Sequence, residues 1–122
     1  MQQDSAMNDT QRDIDDQLRV VLSAFPQIEL AVLFGSFARG RQRPDSDIDI
    51  AVSAQRPLTA DETIALIEAL AGQTGRAIDL IDLRVAGEPL LGQIVRHGRR
   101  LLGSDSAYGQ LISRHLFEQA DF

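Results

Sequence analysis

The sequence predicts an α/β (α+β) domain in which a small mixed β-sheet of three or four strands packs against helices. Two observations lead to this prediction. Short apolar runs of strand length alternate along the chain with longer segments whose apolar residues recur at helical spacing. The length of 122 residues suits one domain with its own core. We expect that domain to span residues 10–122, after a flexible tail over residues 1–9.

The first half of the chain predicts two helices and two strands. Apolar residues recur at helical spacing over residues 10–24, which is typical of an amphipathic helix, and a proline follows its end. Residues 30–34 form a continuous apolar run that ends at a glycine, as a buried strand does. A short helix over residues 36–39 and an arginine-rich turn over residues 40–46 come next. Residues 48–52 lie where isoleucine alternates with aspartate, which predicts a strand with one acidic face.

The second half continues the alternation of helices and strands. Thr59 and Glu62 fit a capping box at the start of a helix that runs to residue 70. The elements that follow are a strand over residues 77–83, a helix opening at residue 87, a short strand over residues 99–102 and a final helix over residues 104–118. We expect the apolar faces of these three helices to comprise Ile64, Leu66, Ile67 and Leu70; Leu90, Leu91, Ile94 and Val95; and Leu111, Ile112, Leu116 and Phe117.

Composition and charge exclude several classes of protein. The chain has no cysteine, which excludes disulfides and zinc–thiolate sites. No apolar run approaches the ~20 residues that cross a bilayer, and the acidic first segment is unlike a secretory signal, so we expect a cytoplasmic protein without a membrane partner. The net charge of -6 argues against a broad cationic surface, so no direct binding of nucleic acid is expected.

The glycine turn after the first strand has the features of an anion site. Gly35 allows the backbone to approach a bulky anion, and Ser36 opens a helix whose first N–H groups point outward. Arg39 and Arg43 follow within a few residues, and a guanidinium pairs with two phosphate oxygens at once. The hydroxyl of Ser46 is placed either to bond a phosphate oxygen or to cap the turn.

Three aspartates form the second feature. Asp47 and Asp49 are two residues apart on a strand, so both carboxylates project from one face, where they repel each other unless a cation lies between them. Magnesium takes such oxygen ligands together with phosphate oxygens. Asp79, inside the apolar strand AIDLIDL, is the candidate third ligand of a two-metal site, whereas Asp82 faces the opposite way. A pair of aspartates alone is also common on solvated strand edges, and the combination with the glycine turn favours a site.

The spacing of these residues resembles the nucleotidyltransferase (DNA polymerase β-like) superfamily. Its signature is Gly-Ser, ten intervening residues and Asp-x-Asp, and here Gly35-Ser36 is followed by residues 37–46 and then Asp47-Ile48-Asp49. A third aspartate on a later strand is matched by Asp79. The resemblance covers about residues 10–103. Within the superfamily, the blocks GSFARG…SDIDIAV, IDLIDL and RHGRRLL are similar to the minimal nucleotidyltransferases of the MntA type, which are antitoxins of MntA/HepT toxin–antitoxin pairs.

The resemblance implies a nucleotidyltransferase fold and an activity. A member of this group uses ATP and magnesium, with two ions expected, to transfer AMP to a tyrosine of a HEPN-domain (HepT-like) ribonuclease toxin and so silence it. Gly35 and Ser36 would then hold the triphosphate, and Asp47 and Asp49 the metal ions. Asp79 would serve the second metal and the attacking hydroxyl. A hetero-oligomer with the toxin is the expected assembly.

Two other functions remain open at the level of sequence. The acceptor could be a small molecule bound by a separate helical subunit, or the chain could be a non-catalytic antitoxin that occludes its partner. Little of the given sequence follows Leu102, so we expect a partner or a bulky substrate to form one wall of the site. The Arg-x4–6-His motif of the toxin is absent upstream of both His97 and His115, which excludes the toxin itself. We expect His97 at an exposed helix end, and His115 and Tyr108 in packing or partner contact.

Overall fold

The computed structural model describes residues 9–120, and the side chains of residues 12–120. Its elements are α1 Asp9–Ser23, β1 Ile28–Phe34, α2 Gly35–Arg39, β2 Ile48–Ala54, α3 Ala60–Thr74, β3 Ile78–Asp82, α4 Leu90–His97, β4 Arg99–Leu102 and α5 Asp105–Ala120. This order confirms the predicted alternation. The predicted tail lies outside the described residues except for Asp9, which already begins α1. No helix of the described chain is both long and apolar enough to span a membrane.

The four strands form one mixed sheet in the order β3-β2-β1-β4. β1 is antiparallel to both β2 and β4, and β2 is parallel to β3. Parallel neighbours need a crossover, and α3 supplies it. Because β1 runs against β2 and β3, the end of β1 meets the beginnings of the other two at one edge of the sheet.

One face of the sheet packs against α1, α2 and α3. Leu18 and Leu22 of α1 and Leu66 and Leu70 of α3 are fully or almost fully buried there, and Phe37 of α2 joins the same cluster. Burial of each such side chain contributes roughly 1.5–3 kcal/mol. The largest apolar core of the described chain therefore lies on this face.

The other face packs against α4 and α5. Leu91 and Ile94 of α4 and Leu111 of α5 cover Val32 and Phe34 of β1. α4 thus crosses the sheet towards the end of β1, where the chain turns into α2. Contacts between α2 and α4 complete this corner of the molecule.

The apolar faces predicted for α3 and α5 are not buried along their whole length. Ile64 is 54% exposed, and Leu116 and Phe117 are 58% and 75% exposed. In an α-helix, residues one or two positions from a buried residue point well away from it. α3 buries Leu66 two positions after Ile64, and α5 buries His115 directly before Leu116 and Phe117. The polar His115 is the buried residue that an apolar pattern could not indicate.

The predicted capping box at the start of α3 is confirmed. The backbone N–H of Glu62 donates to the Thr59 hydroxyl at 3.1 Å, and the backbone N–H of Thr59 donates to the Glu62 carboxylate at 2.9 Å. Arg56 binds the same carboxylate with two nitrogens at 2.9 and 2.8 Å. The hydrogen bond from Arg56, with the Thr59 N–H next, lowers the pKa of Glu62 to about 2. α3 then runs past the predicted end at residue 70 to Gly75, which adopts φ +72.

An ion pair with a buried carboxylate joins α1, β4 and α2. The carboxylate of Asp15, on α1, is fully buried and accepts two hydrogen bonds from Arg99 of β4, at 2.8 and 3.0 Å. The same guanidinium donates to the carbonyl of Ala38 in α2 at 3.2 Å. Both oxygens of the carboxylate are therefore satisfied, which is what a charge needs in order to be buried.

Candidate active site

The three predicted aspartates lie at one edge of the sheet. The strand register places Asp49 beside Phe34 of β1 on one side and beside Asp79 of β3 on the other. Asp47 precedes β2 directly and is exposed, as is Asp79. Asp82 lies on the opposite face of β3, where its carboxylate accepts a hydrogen bond from the backbone N–H of Arg84 at 2.8 Å. The structure therefore brings together the aspartates that the sequence selected and separates the one that it rejected.

Asp49 is the electrostatic centre of this group. Partial burial raises the pKa of the Asp49 carboxyl from 3.8 to about 6, with further contributions from the charge of Asp79, a hydrogen bond to Asp79 and the charge of Asp47. Like-charged carboxylates disfavour ionisation of one another. The Asp49 carboxyl therefore binds a proton more readily than a free aspartate does, and a cation bound between the carboxylates would favour its ionised form.

The conformation of Gly35 explains why Asp49 fits. Gly35 has φ +72, and a Cβ atom added to it would fall on the Oδ2 atom of Asp49. From the sequence we expected Gly35 to allow the close approach of a bound anion. In the structure, the group that approaches is the carboxylate of Asp49, so the glycine turn and the aspartates form one site.

The donor set suits a magnesium ion, although it is not a complete cage. In the described chain no three acidic, histidine or cysteine side chains are already placed to ligate one ion. Magnesium usually takes only one or two carboxylates and fills its shell with water and substrate phosphates. The Asp49–Asp79 pair with Asp47 nearby provides such carboxylates. The pKa of Asp49 is raised by its partial burial and then by the charges of Asp79 and Asp47, and a bound cation would offset both effects.

A cavity of about 320 Å³ opens at Gly35, the residue against which the carboxylate of Asp49 lies. It is lined by Phe34, Gly35, Ser36, Arg39, Arg41, Gln93 and His97. A second hollow of about 430 Å³ shares Arg39, Arg41 and His97 with it and adds Arg96. In a chain of net charge -6 this basic lining is local, and it adjoins the acidic group. The arrangement suits a polyanion that accompanies a divalent cation.

Of this lining, sequence reasoning selected Gly35, Ser36 and Arg39 as phosphate ligands and did not select Arg41. It also missed Gln93 and His97. These two residues are one turn apart on α4, so they share a helix face. Their spacing could have indicated the shared face. It could not indicate that this face ends beside Gly35, because that follows from how α4 crosses the sheet. His97 lies at an exposed helix end as predicted, and it also lines the cavity.

Arg43 and Ser46 close the turn before Asp47. The Ser46 hydroxyl accepts a hydrogen bond from the backbone N–H of Arg43 at 2.7 Å, and the Ser46 N–H donates to the Arg43 carbonyl at 3.0 Å. Neither residue is part of the cavity lining described above. The turn-capping role of Ser46 is therefore present, and a phosphate contact by either residue stays a prediction.

His115 and Tyr108 have packing roles. His115 is buried, and its Nδ1 atom lies 2.5 Å from the carboxylate of Glu88 in the loop before α4. The Arg100 guanidinium stacks on the Tyr108 ring at 4.8 Å from its centroid. Both contacts fix α5 against the rest of the domain, away from the aspartates.

Residues 16–107 match the family model described as polymerase beta, nucleotidyltransferase, and the chain belongs to that family. Among individual proteins it is similar to the protein adenylyltransferase MntA of Shewanella oneidensis, with 37% identity over 87 residues. The aligned segment covers 71% of this chain and 63% of MntA, so the match spans less than two thirds of the relative's length.

Solved structures give the same result at the level of the fold. A toxin–antitoxin crystal structure with AMP-PNP superposes with a TM-score of 0.74 and 33% identity, covering 88% of this chain and 90% of the other. A structure of the tri-AMPylated HEPN toxin of Shewanella oneidensis in complex with its MNT antitoxin gives a TM-score of 0.69 and 30% identity, covering 91% of both chains. The mixed four-stranded sheet is thus the expected nucleotidyltransferase fold.

Proposed function

We propose that this protein is an antitoxin adenylyltransferase that transfers AMP from ATP to a tyrosine of a HEPN-domain toxin. The observation that carries the proposal is the position of Asp49 opposite Asp79 on the neighbouring strand, two residues after Asp47 and directly against Gly35. An acidic group next to a basic cavity is what a metal-bound nucleoside triphosphate requires.

The relatives support both the reaction and the partner. MntA is named for protein adenylylation, one structural relative carries AMP-PNP, and another pairs an MNT antitoxin with an AMPylated HEPN toxin. ATP as donor also favours the cytoplasm as the compartment. We therefore expect a hetero-oligomer of this chain with a toxin of that class.

The cavity residues hold the phosphates in the proposed mechanism. Ser36, Arg39 and Arg41 line it from α2 and the following turn, and Gln93 and His97 line it from α4. Hydrogen bonds from these groups orient the two outer phosphates as the leaving group. The α-phosphorus then faces the edge of the sheet, where Asp49 and Asp79 lie.

The transfer itself exchanges one phosphorus–oxygen bond for another. The tyrosine oxygen bonds to the α-phosphorus, the bond from the α-phosphorus to the oxygen bridging the β-phosphate breaks, and pyrophosphate leaves. The exposed carboxylate of Asp79 takes the phenolic proton. Asp47, Asp49 and Asp79 would supply the carboxylate ligands for magnesium, which would offset the charge that develops on the phosphate oxygens. Correct placement of the two reactants supplies much of the remaining rate enhancement.

The acceptor completes the site. Asp47 and Asp79 are exposed at the sheet edge, and no element of the described chain covers them. A water-exposed centre weakens electrostatic stabilisation of the transition state. A docked partner surface that carries the tyrosine would exclude this water, which suits a protein acceptor better than a small one.

The test uses the full chain, a HEPN-domain (HepT-like) toxin as the acceptor protein and ATP labelled at the α-phosphate. We expect label on the partner protein, lost when its tyrosine is replaced by phenylalanine. Asp47→Asn with Asp49→Asn should lower the transfer rate by more than 10³-fold, because the variant lacks two of the three carboxylates. Asp82→Asn is the matched control, since Asp82 lies on the opposite face of β3, and it should transfer at the normal rate.

The double variant also separates catalysis from occlusion. If it still binds the toxin and still protects cells, neutralisation needs only the complex and the proposed role of adenylylation is wrong. If it binds and does not protect, transfer is required. Label that appears on a small molecule and never on the partner would instead support the small-molecule acceptor.

A further inference from the structure

The turn that delivers Asp47 to the site has few internal contacts. Its internal hydrogen bonds are the two between Arg43 and Ser46, and Pro44 and Asp45 are exposed. Exposed turns of this kind are normally mobile. A carboxylate at the end of a mobile turn would not hold a constant position relative to Asp79, which lies on another strand.

Arg76 holds this turn from outside. Its Nη1 atom lies 3.3, 3.0 and 3.2 Å from the carbonyl oxygens of Arg43, Pro44 and Ser46, which share its two N–H donors. Within the described chain, these are the side-chain hydrogen bonds that connect residues 42–46 to another element. The guanidinium also stacks on the buried ring of Phe37, 4.9 Å from its centroid.

The position of Arg76 in the chain makes these contacts relevant to the site. Arg76 directly precedes the segment that enters β3, and Asp79 follows three residues later. Ile48 begins β2 with a hydrogen bond from its N–H to the carbonyl of Ala77, at 2.9 Å. Arg76 therefore joins the chain just before the first two aspartates to the chain just before the third.

We propose that Arg76 is a positioning residue that fixes Asp47 relative to Asp49 and Asp79 for metal-dependent nucleotide binding. The inference rests on the proposed function for its ligand, and on the hydrogen bonds of Arg76 for its geometry. Groups that orient metal ligands without touching the metal typically change metal affinity by about 10–100-fold when they are replaced.

Lysine cannot reproduce the arrangement. A guanidinium is flat, so it stacks on Phe37 while its edge donates to the carbonyls, whereas an ammonium is a compact point donor. Arg76→Lys should therefore keep part of the contact with the turn and lose the stacking. Arg76→Met keeps the apolar stem and loses every donor.

The experiment compares Arg76→Met, Arg76→Lys and the control Arg84→Met. Arg84 follows β3 at its other end, is exposed, and likewise donates to a backbone carbonyl, that of Ala54 at 3.3 Å. Binding of AMP-PNP is titrated with Mg²⁺ by calorimetry, and amide hydrogen exchange is measured over residues 40–50 without ligand. We expect the apparent Mg²⁺ affinity to fall by about 10–100-fold in Arg76→Met, less in Arg76→Lys and not in Arg84→Met.

Hydrogen exchange provides the reading that does not depend on the reaction. Exchange at residues 43–47 should accelerate in Arg76→Met while the amides of α1 and α3 keep their protection. Unchanged exchange there, or unchanged Mg²⁺ dependence, would overturn the proposal. If Arg76→Met does not fold, Arg76→Lys decides by the same two measurements. If the wild-type protein does not bind AMP-PNP with Mg²⁺, the proposed function is wrong. Hydrogen exchange without ligand would then still test whether Arg76 holds the turn.

Discussion

Two groups of carboxylates in this protein have opposite surroundings. Glu62 and Asp15 each accept two hydrogen bonds from an arginine, and the pKa of Glu62 is lowered to about 2. Asp49 instead lies opposite Asp79 in the strand ladder, and its partial burial, followed by the charges of Asp79 and Asp47, raises its pKa to about 6. Carboxylates of the first group stabilise the folded chain through their pairs with arginine. Those of the second group lie close together without such a partner, although their charges repel each other.

This difference indicates where stability has been given up for function. A repulsive group persists only where the surrounding structure determines it, here through the strand register and the glycine turn. Glu62 and Asp15 form the paired group. Substitutions there should therefore lower the free energy of unfolding and leave ligand binding unchanged. Asp47, Asp49 and Asp79 form the crowded group. Substitutions there should abolish ligand binding and raise the free energy of unfolding.

The largest effect is expected from Gly35→Ala, which displaces the centre of the crowded group. The added methyl falls on the carboxylate of Asp49, so affinity for AMP-PNP with Mg²⁺ should drop by about 100-fold or more. The positive φ adds a cost of about 1–2 kcal/mol to folding. Calorimetric titration and urea unfolding measure the two effects.

Gly72→Ala is the matched control for this substitution. Gly72 lies inside α3, and a Cβ added there meets nothing within 4 Å. Alanine should stabilise the helix by up to about 1 kcal/mol and leave nucleotide binding unchanged. Wild-type affinity in Gly35→Ala would show that Asp49 need not occupy its present position.

The next effect is expected from the paired group. Asp15→Ala leaves the Arg99 guanidinium without its carboxylate in a largely buried position, so the free energy of unfolding should fall by about 3–5 kcal/mol. Denaturation by urea measures this directly. Asp16→Ala, one residue away, removes only an exposed pair with Arg19 at 3.4 Å and should change stability by less than about 1 kcal/mol. Equal losses in the two variants would contradict a special role for the buried pair.

A smaller loss of stability is expected from Thr59→Ala, which opens the capping box of α3. The Thr59 hydroxyl accepts the backbone N–H of Glu62, and removing such a cap costs about 0.5–2 kcal/mol. Thr63→Ala, within the helix, is the comparison: its hydroxyl bonds only the carbonyl of Thr59, so stability should stay within about 0.5 kcal/mol. Thermal unfolding of the two variants tests the difference.

The smallest effect concerns pH and the crowded group. The pKa of Asp49 is about 6 in the folded chain against 3.8 for the free side chain, so folding favours its protonated form. The resulting stabilisation is full below about pH 4 and is lost as the pH rises through 6. Asp49→Asn, which has no proton to lose, should gain stability relative to wild type above pH 7 and none below pH 4. Because Asp49 is partly solvated, the gain should stay below about 1 kcal/mol.

Thermal unfolding in EDTA at pH 4, 6 and 8 checks this dependence. Added Mg²⁺ should stabilise wild type at pH 8 and not Asp49→Asn, since a ligand stabilises only the state that binds it. A variant less stable than wild type at pH 8 would mean that Asp49 is favourably paired in the folded chain.

Local sequence determines most of the fold and part of the site. The order of helices and strands was predictable because each element carries its own period or cap, as Thr59 with Glu62 shows. Gly35 and the pair Asp47 and Asp49 were predictable because their spacing is fixed by a short turn. The ends of β2 at residue 54 and of α3 at residue 74 could not be predicted. Both elements run beyond their predicted ends, where they contact residues that are distant in sequence.

The rest of the site depends on contacts between elements distant in sequence. Gln93 and His97 reach the cavity because of the direction in which α4 crosses the sheet. Arg76 reads as an ordinary charged residue after a helix, and only the fold brings it to the turn before Asp47. Leu116 and Phe117 were misassigned because buried His115 sets the inward face of α5.

The parallel pairing of β2 with β3 has a consequence for detecting such sites in other chains. Asp49 and Asp79 meet because they are opposite each other in the ladder, and the crossover that separates them along the chain can change length without moving either. Insertions or deletions in α3 are therefore compatible with an intact acidic group. A sequence search that uses a fixed spacing between residues finds the equivalents of Asp47 and Asp49 and misses that of Asp79. The third aspartate is found by aligning the strands and not by counting residues.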